Sequence, residues 1–225
     1  MDRKCQTIWQ LIFLILAINV KGDCSQSLQG TYYAACKFPS EKMACKDTKT
    51  GLEITMLTTS SAKDDKIYQT HPNWTADGQH IVFMSDRSGT SQYFAISVKT
   101  GTIVQLTDDQ QPGNACLGKT RNQMYYLSDS KIWNVDIDSI LQCDTPKQEN
   151  IFRRKVADLP ENTSLSGTIS LDSNEKDIYL GVQYTANSWG LLATVHPHPS
   201  LFPGWFIRTF LLGKKRELGF VPGAI

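Results

Sequence analysis

The segment TGLEITMLT, beginning at Thr50, returns as TGTIVQLT at Thr100, and no other feature constrains the fold as tightly. Two further words repeat with it. QHIVFMSD at Gln79 recurs as NQMYYLSD at Asn122 and, more loosely, as KDIYLGVQ at Lys176. QYFAISV follows the first copy, and KIWNVDI follows the second. Each word is strand length and rich in β-branched and aromatic residues, with Gly, Asp, Asn or Ser between words. A unit of this kind cannot bury its apolar faces alone, so the copies must pack on one another.

Repetition every 40–50 residues or so, in the order turn, strand, charged corner, strand, glycine turn, strand, is the period of a four-stranded propeller blade. A β-sandwich also strings short strands together, but it does not demand the same word at blade spacing. The expected fold is therefore all-β, a β-propeller of four-stranded blades, with room for about three of them. Closed propellers have roughly 4 to 8 blades, so the ring is expected to be incomplete. No window outside the N-terminus carries a helical stripe.

Residues 1–22 read as a signal peptide, 23–49 as a lead-in, 50–190 as the partial propeller and 191–225 as a divergent tail. From Leu191 onward the Asp-Gly turns and the alternation are lost. A truncated or frame-shifted reading, assembly with another chain, and a divergent tail that still supplies strands all account for this. At the other end, Met1-Asp2-Arg3-Lys4 precedes the apolar run from Leu11 to Ile18. That run is shorter than the ~20 residues that span a bilayer, and its flanks fit a secretory leader. The expectation is a periplasmic or secreted protein without a stable membrane span. A net charge of +1 over 225 residues offers no basic field for nucleic acid. Of the six cysteines, Cys36 and Cys45 lie close enough in sequence to close a small loop in an oxidising compartment.

Pro72, Trp74, Asp77, Gly78, Ser85, Asp86, Arg87, Gly89, Gly101, Leu106 and Thr107 match, in order, the TolB-type (WD40-like) propeller repeat. More particularly, TGLEITMLT followed by QYFAISVKTGTIVQLTD resembles the opening blades of oligogalacturonate lyases, over about residues 47–190. The resemblance implies a secreted polysaccharide lyase that cleaves uronate-containing oligosaccharides, the fragments of pectin, by β-elimination. It also implies a divalent metal such as manganese, whose ligands are not found in this sequence. The alternative is a non-catalytic TolB-like propeller, a periplasmic or surface scaffold that binds a protein partner.

β-Elimination removes the C5 proton beside a uronate carboxylate, so it needs a base in reach and a cation or metal to neutralise that carboxylate. His71 stands just before the Pro-x-Trp turn, where a strand enters from the propeller centre, and is the candidate base. Arg87 is the second catalytic candidate, as a bidentate carboxylate clamp, with bracing of the Asp86-Arg87 corner as its competing role. Tyr68 is the candidate substrate-binding residue. His80 opens a strand and reads as a solvent-facing turn residue. His196 and His198 have a spacing that can place two imidazoles on one strand face. Ala193, however, occupies the glutamine position of the lyase metal pattern, and Pro197 removes a ladder donor.

Overall fold

The computed structural model describes residues 34–144, 152–184, 188–197 and 205–209, with side chains described up to Gln183 except Ser166. The leader, Cys24, His198 and the last sixteen residues of the tail lie outside the described residues. Four antiparallel sheets account for almost all of the regular structure. The first contains β4 (Asp64–Lys66), β5 (His80–Ser85), β6 (Gln92–Ser97) and β7 (Ile103–Gln105), with β1 (Lys37–Phe38) added outside β7. The second runs β8 (Ala115–Leu117), β9 (Gln123–Ser128), β10 (Lys131–Asp136) and β11 (Arg153–Asp158). The third runs β12 (Thr163–Leu171), β13 (Ile178–Tyr184), β14 (Ser188–Pro197) and β15 (Trp205–Thr209). β2 (Met43–Lys46) and β3 (Glu53–Met56) form a separate hairpin.

The side-chain alternation explains why these strands stack as blades. Along β9, Met124 and Tyr126 enter a core shared with Val82, Tyr93, Ala95 and Val104 of the first sheet. Tyr125 and Leu127, pointing the other way, meet Ile169, Ile178, Leu180 and Val182 of the third. The second sheet is therefore buried on both faces. The first sheet's other face, Phe83, Phe94, Ile96 and Ile103, packs with Phe38 and Leu57. A sandwich has one core between two sheets; three successive sheets sharing two interlayer cores make an arc of blades.

Local chemistry sets the ends of the strands. β9 and β10 are joined by Asp129 and Ser130 alone, both at positive φ (52° and 55°), the type I′ pattern that matches strand twist. Gly101 (φ 77°) closes the turn before β7 directly beneath the lead-in, where an added Cβ would lie 2.1 Å from Ser40 Oγ and 2.9 Å from Lys42 Cβ. Lys42 Nζ in turn donates to the Val98 carbonyl at 2.9 Å.

Three features add to or correct the sequence reading. The first is a short helix, α1 (Ile137–Leu141), which follows β10. The Asp136 side chain accepts from Ser139 N at its start, and Ile137 and Ile140 are buried. One turn and a half is too short to print a stripe. The second is that the tail supplies strands, one of the three accounts left open for it: β14 and β15 carry the third sheet past Leu191. The third is the cysteine pairing. Cys36 is disulfide-bonded while Cys45 is an exposed free thiol, so the Cys36–Cys45 loop does not form. Cys36 is held on the first sheet, where its carbonyl accepts from Gln105 N at 2.9 Å. Cys45 belongs to the separate hairpin, paired with Ile54.

Candidate functional site

Arg87 follows β5, and its side chain is 4% exposed. Nε donates to Ser85 Oγ (3.1 Å), Nη1 to Glu41 Oε1 (2.9 Å) and Nη2 to both oxygens of Asp64 (3.0 and 3.1 Å). The guanidinium also lies over Phe83 and Phe94, 5.2 and 5.6 Å from their centroids. Burial pushes the Asp64 carboxyl up, but bonds from Ser85, Thr58 and Arg87 and the arginine charge leave it below its ordinary 3.8. Glu41 is likewise held below 4.5, because bonds from Ser60 and Thr59 and the Arg87 charge outweigh its burial. Every nitrogen of this side chain is engaged by the protein itself. The geometry is that of a corner brace, tying lead-in, β4 and β5 together.

His71 and Tyr68 occupy a different place. Lys66 pairs with Phe83 and Trp74 with Ile81, so residues 67–72 leave the innermost strand of the first sheet and return. Within this excursion His71 N donates to the Tyr68 carbonyl at 3.1 Å, and the two rings lie 5.5 Å apart. β12 carries a matching irregularity: its register shifts between Leu165 and Ile169, around Gly167 (φ 94°). The two bulges meet. His71 Nε2 lies 3.0 Å from Ser170 Oγ, and Nδ1 lies 3.5 Å from Thr168 Oγ1. Asn114, just before β8, donates to the Gly167 carbonyl at 2.6 Å. His71 of the first blade thus meets Ser170 and Thr168 of the third, and Asn114, ahead of the second blade, is tied to the same bulge through the Gly167 carbonyl.

Burial lowers the His71 pKa below its ordinary 6.5, so the ring is neutral at neutral pH. A neutral imidazole with a hydroxyl on Nε2 can accept a proton, and Tyr68, 38% exposed, presents a ring face beside it. His71 and Tyr68 were candidates from the sequence; the contacts of His71 with Ser170 and Thr168, and of Asn114 with Gly167, were not foreseen from it. The only local signal was a glycine inside a strand word, which marks a bulge.

His80 is half-buried rather than solvent-facing, and its Nδ1 is buried without a hydrogen-bond partner among the described residues. Burial lowers its pKa, against the opposing charges of Asp77 and Asp138. Nearby, a cleft of about 400 Å³ is lined by Asp77, Arg121, Asn122, Asp136 and Asp138 among others. Three carboxylates against one guanidinium make it unfavourable for an acidic ligand. The cleft is also distinct from the His71 cluster.

Among the described residues, no group of three or more His, Cys, Asp or Glu side chains could hold a metal ion, so these residues do not fit a manganese site. The side chain of His196 and the whole of His198 are outside the description. No described helix is long and apolar enough to cross a membrane.

No protein-family model and no curated protein matches the chain. Among solved structures, it is similar to an oligogalacturonate lyase in complex with manganese, with a TM-score of 0.60 and 17% identity. It is also similar to an oligogalacturonate lyase from Vibrio parahaemolyticus, with a TM-score of 0.60 and 15% identity. In both cases 72% of this chain and 45% of the other are covered. The chain therefore spans less than half the length of either lyase. At this identity the likeness establishes the fold, an arc of propeller-type blades.

Proposed function

We propose that the chain is a secreted or periplasmic lyase-type protein that cleaves uronate-containing oligosaccharides, pectin fragments, by β-elimination. The observation that carries this reading is His71, a neutral imidazole held beside the Ser170 and Thr168 hydroxyls at a bulge of the third blade. The likeness of the fold to two oligogalacturonate lyases supports the choice of substrate. In the reaction His71 takes the C5 proton, the electron pair forms the C4=C5 bond, and the bond from C4 to the leaving oxygen breaks. The leaving oxygen then takes up a proton. Tyr68, with its ring 5.5 Å from that of His71, supplies a wall for the sugar ring. For Nε2 to take the proton, its 3.0 Å contact with Ser170 Oγ must be exchanged for one with the substrate. Arg87 is a brace away from this site and not a clamp, so the cation or metal that would neutralise the uronate carboxylate is not supplied by Arg87.

The test is the ultraviolet absorbance of the unsaturated product, followed with a panel of galacturonate and other uronate oligomers. Release by the natural chain and its loss in His71→Ala are expected. No absorbance gain with any oligomer, from folded protein, would sink the proposal.

A second reading, a non-catalytic propeller scaffold, is favoured by one observation: the arginine best suited to a carboxylate is consumed by Glu41 and Asp64. Capture of a defined protein partner, undiminished in His71→Ala, would support it over the first.

A further inference from the structure

Two Asn-x-Ser/Thr sequons occur in the chain, Asn73-Trp74-Thr75 and Asn162-Thr163-Ser164. The fold treats them oppositely. Asn73 is half-buried, and its carbonyl accepts from Val82 N at 2.7 Å. Thr75 is 3% exposed, and its hydroxyl donates to Asp77 Oδ1 at 2.6 Å while accepting from His80 N at 3.0 Å. That sequon is committed to closing the first blade.

Asn162 lies in the turn between β11 and β12, exposed, with Glu161 and Ser164 exposed beside it. Its φ is +58°, a left-handed conformation that asparagine tolerates, at the last turn position before β12. The Thr163 hydroxyl turns back to the Pro160 carbonyl at 2.5 Å, leaving Ser164 as the exposed hydroxyl of the sequon. Leu159 N donates to the Ser130 carbonyl at 2.8 Å, so this turn stands on the same rim as the Asp129–Ser130 hairpin loop. A bulky group there displaces no core contact. The disulfide at Cys36 belongs to an oxidising compartment, the one in which such a group is added.

We propose that Asn162 is an N-glycosylation site. The Asn162 amide nitrogen loses a proton and bonds to the anomeric carbon of an oligosaccharide carried on a lipid pyrophosphate. The bond from that carbon to the pyrophosphate oxygen breaks, and the lipid pyrophosphate leaves with the electron pair; nothing is oxidised or reduced. The proposal rests on export of the chain, and the experiment separates the two.

The full chain, with its own N-terminus, is expressed in a eukaryotic secretory host, and medium and cells are analysed separately. The expected result is one mobility step, removed by a peptide N-glycosidase with conversion of Asn162 to aspartate. The step disappears in Asn162→Gln and in Ser164→Ala, the latter a small change at an exposed strand position, and persists in Asn73→Gln. Secreted chain with unmodified Asn162 overturns the glycan and leaves export standing. Chain confined to the cells and unmodified overturns both.

Discussion

Arg87 and Arg153 meet the same demand by different routes. In the first blade Asp64 is bound by Ser85 and paired with Arg87 from the adjoining corner. In the second, Asp109 accepts from Ser128 Oγ at 3.2 Å and from Tyr126 Oη at 2.6 Å, where the corner holds Asp129-Ser130 and no arginine. The guanidinium comes instead from Arg153 on β11, bonded to Asp109 and 4.2 Å from the Trp133 ring centroid. In both blades a half-buried or buried carboxylate is met by a guanidinium, and the position that supplies it varies. Removing one partner of such a pair costs about 3–5 kcal/mol, so Arg87→Ala should lower the urea midpoint sharply. Arg87→Lys should recover little, because an ammonium cannot span Asp64 and Glu41 together. Both carboxylates have folded pKa values below their unfolded ones. Their contribution is thus complete above the ordinary 3.8 and 4.5 and is lost as pH falls through the folded values. Denaturant melts should be flat with pH down to about 5 in this respect and weaken below about 4, more in the natural chain than in Arg87→Ala. His71 titrates in a separate window. Burial lowers its pKa, so protonation opposes the folded site, and any lyase activity should hold above pH 6.5 and decline only below it. A pH profile whose acid limb lies above 6.5 would remove His71 as the base.

Strand words, Asp-Gly turns and the charged corner were legible because each is dictated within a few residues, by alternation or by a required φ. The β9–β10 loop is one case. Asp129 and Ser130 both hold left-handed φ, which serine pays for in steric strain of roughly 1–2 kcal/mol. Ser130→Gly should therefore raise the thermal midpoint, with a gain of up to about 1 kcal/mol. Gly101→Ala should do the reverse, since the added Cβ meets Ser40 and Lys42 as well as an unfavourable φ. The helix at Ile137 and the meeting of His71 with Ser170 were not legible. The first is shorter than the period that would betray it. The second joins residues 99 positions apart through two bulges, and a strand irregularity announces itself in sequence only as a glycine such as Gly167. For the same reason Arg87 could be read as a corner residue, but its partner Glu41 could not. The lead-in provides β1, the pairing for β7 and a carboxylate of the Arg87 ion pair.

At the scale of the whole molecule, the same repeat that defines a blade identifies what the β2–β3 hairpin is. TGLEITMLT places β3 as TGTIVQLT places β7, and Thr58 reaches Asp64 at the entry to the first blade. β2 and β3 therefore correspond to the two outer strands of a further blade, and β2 pairs only with β3 among the described residues. All four residues of β2 are exposed, and Met43, Leu52 and Ile54 are 49%, 66% and 46% exposed, whereas β6 and β9 are almost wholly buried. Two strands without a covered face are marginal in water, whereas β6 and β9 are sealed on both sides by shared cores. Amide exchange should accordingly divide the chain. The β2–β3 amides should exchange orders of magnitude faster than those of β6 and β9, by local opening that leaves the stack intact. Met124→Ala empties part of the core between the first and second sheets and should cost about 2–5 kcal/mol, accelerating exchange in both sheets together. Met43→Thr with Ile54→Thr should leave that stack unmoved while reducing self-association through the open apolar face. Equal exchange rates in the hairpin and in β9 would mean that the half-blade is covered after all, and that the arc is closed by strands beyond those described.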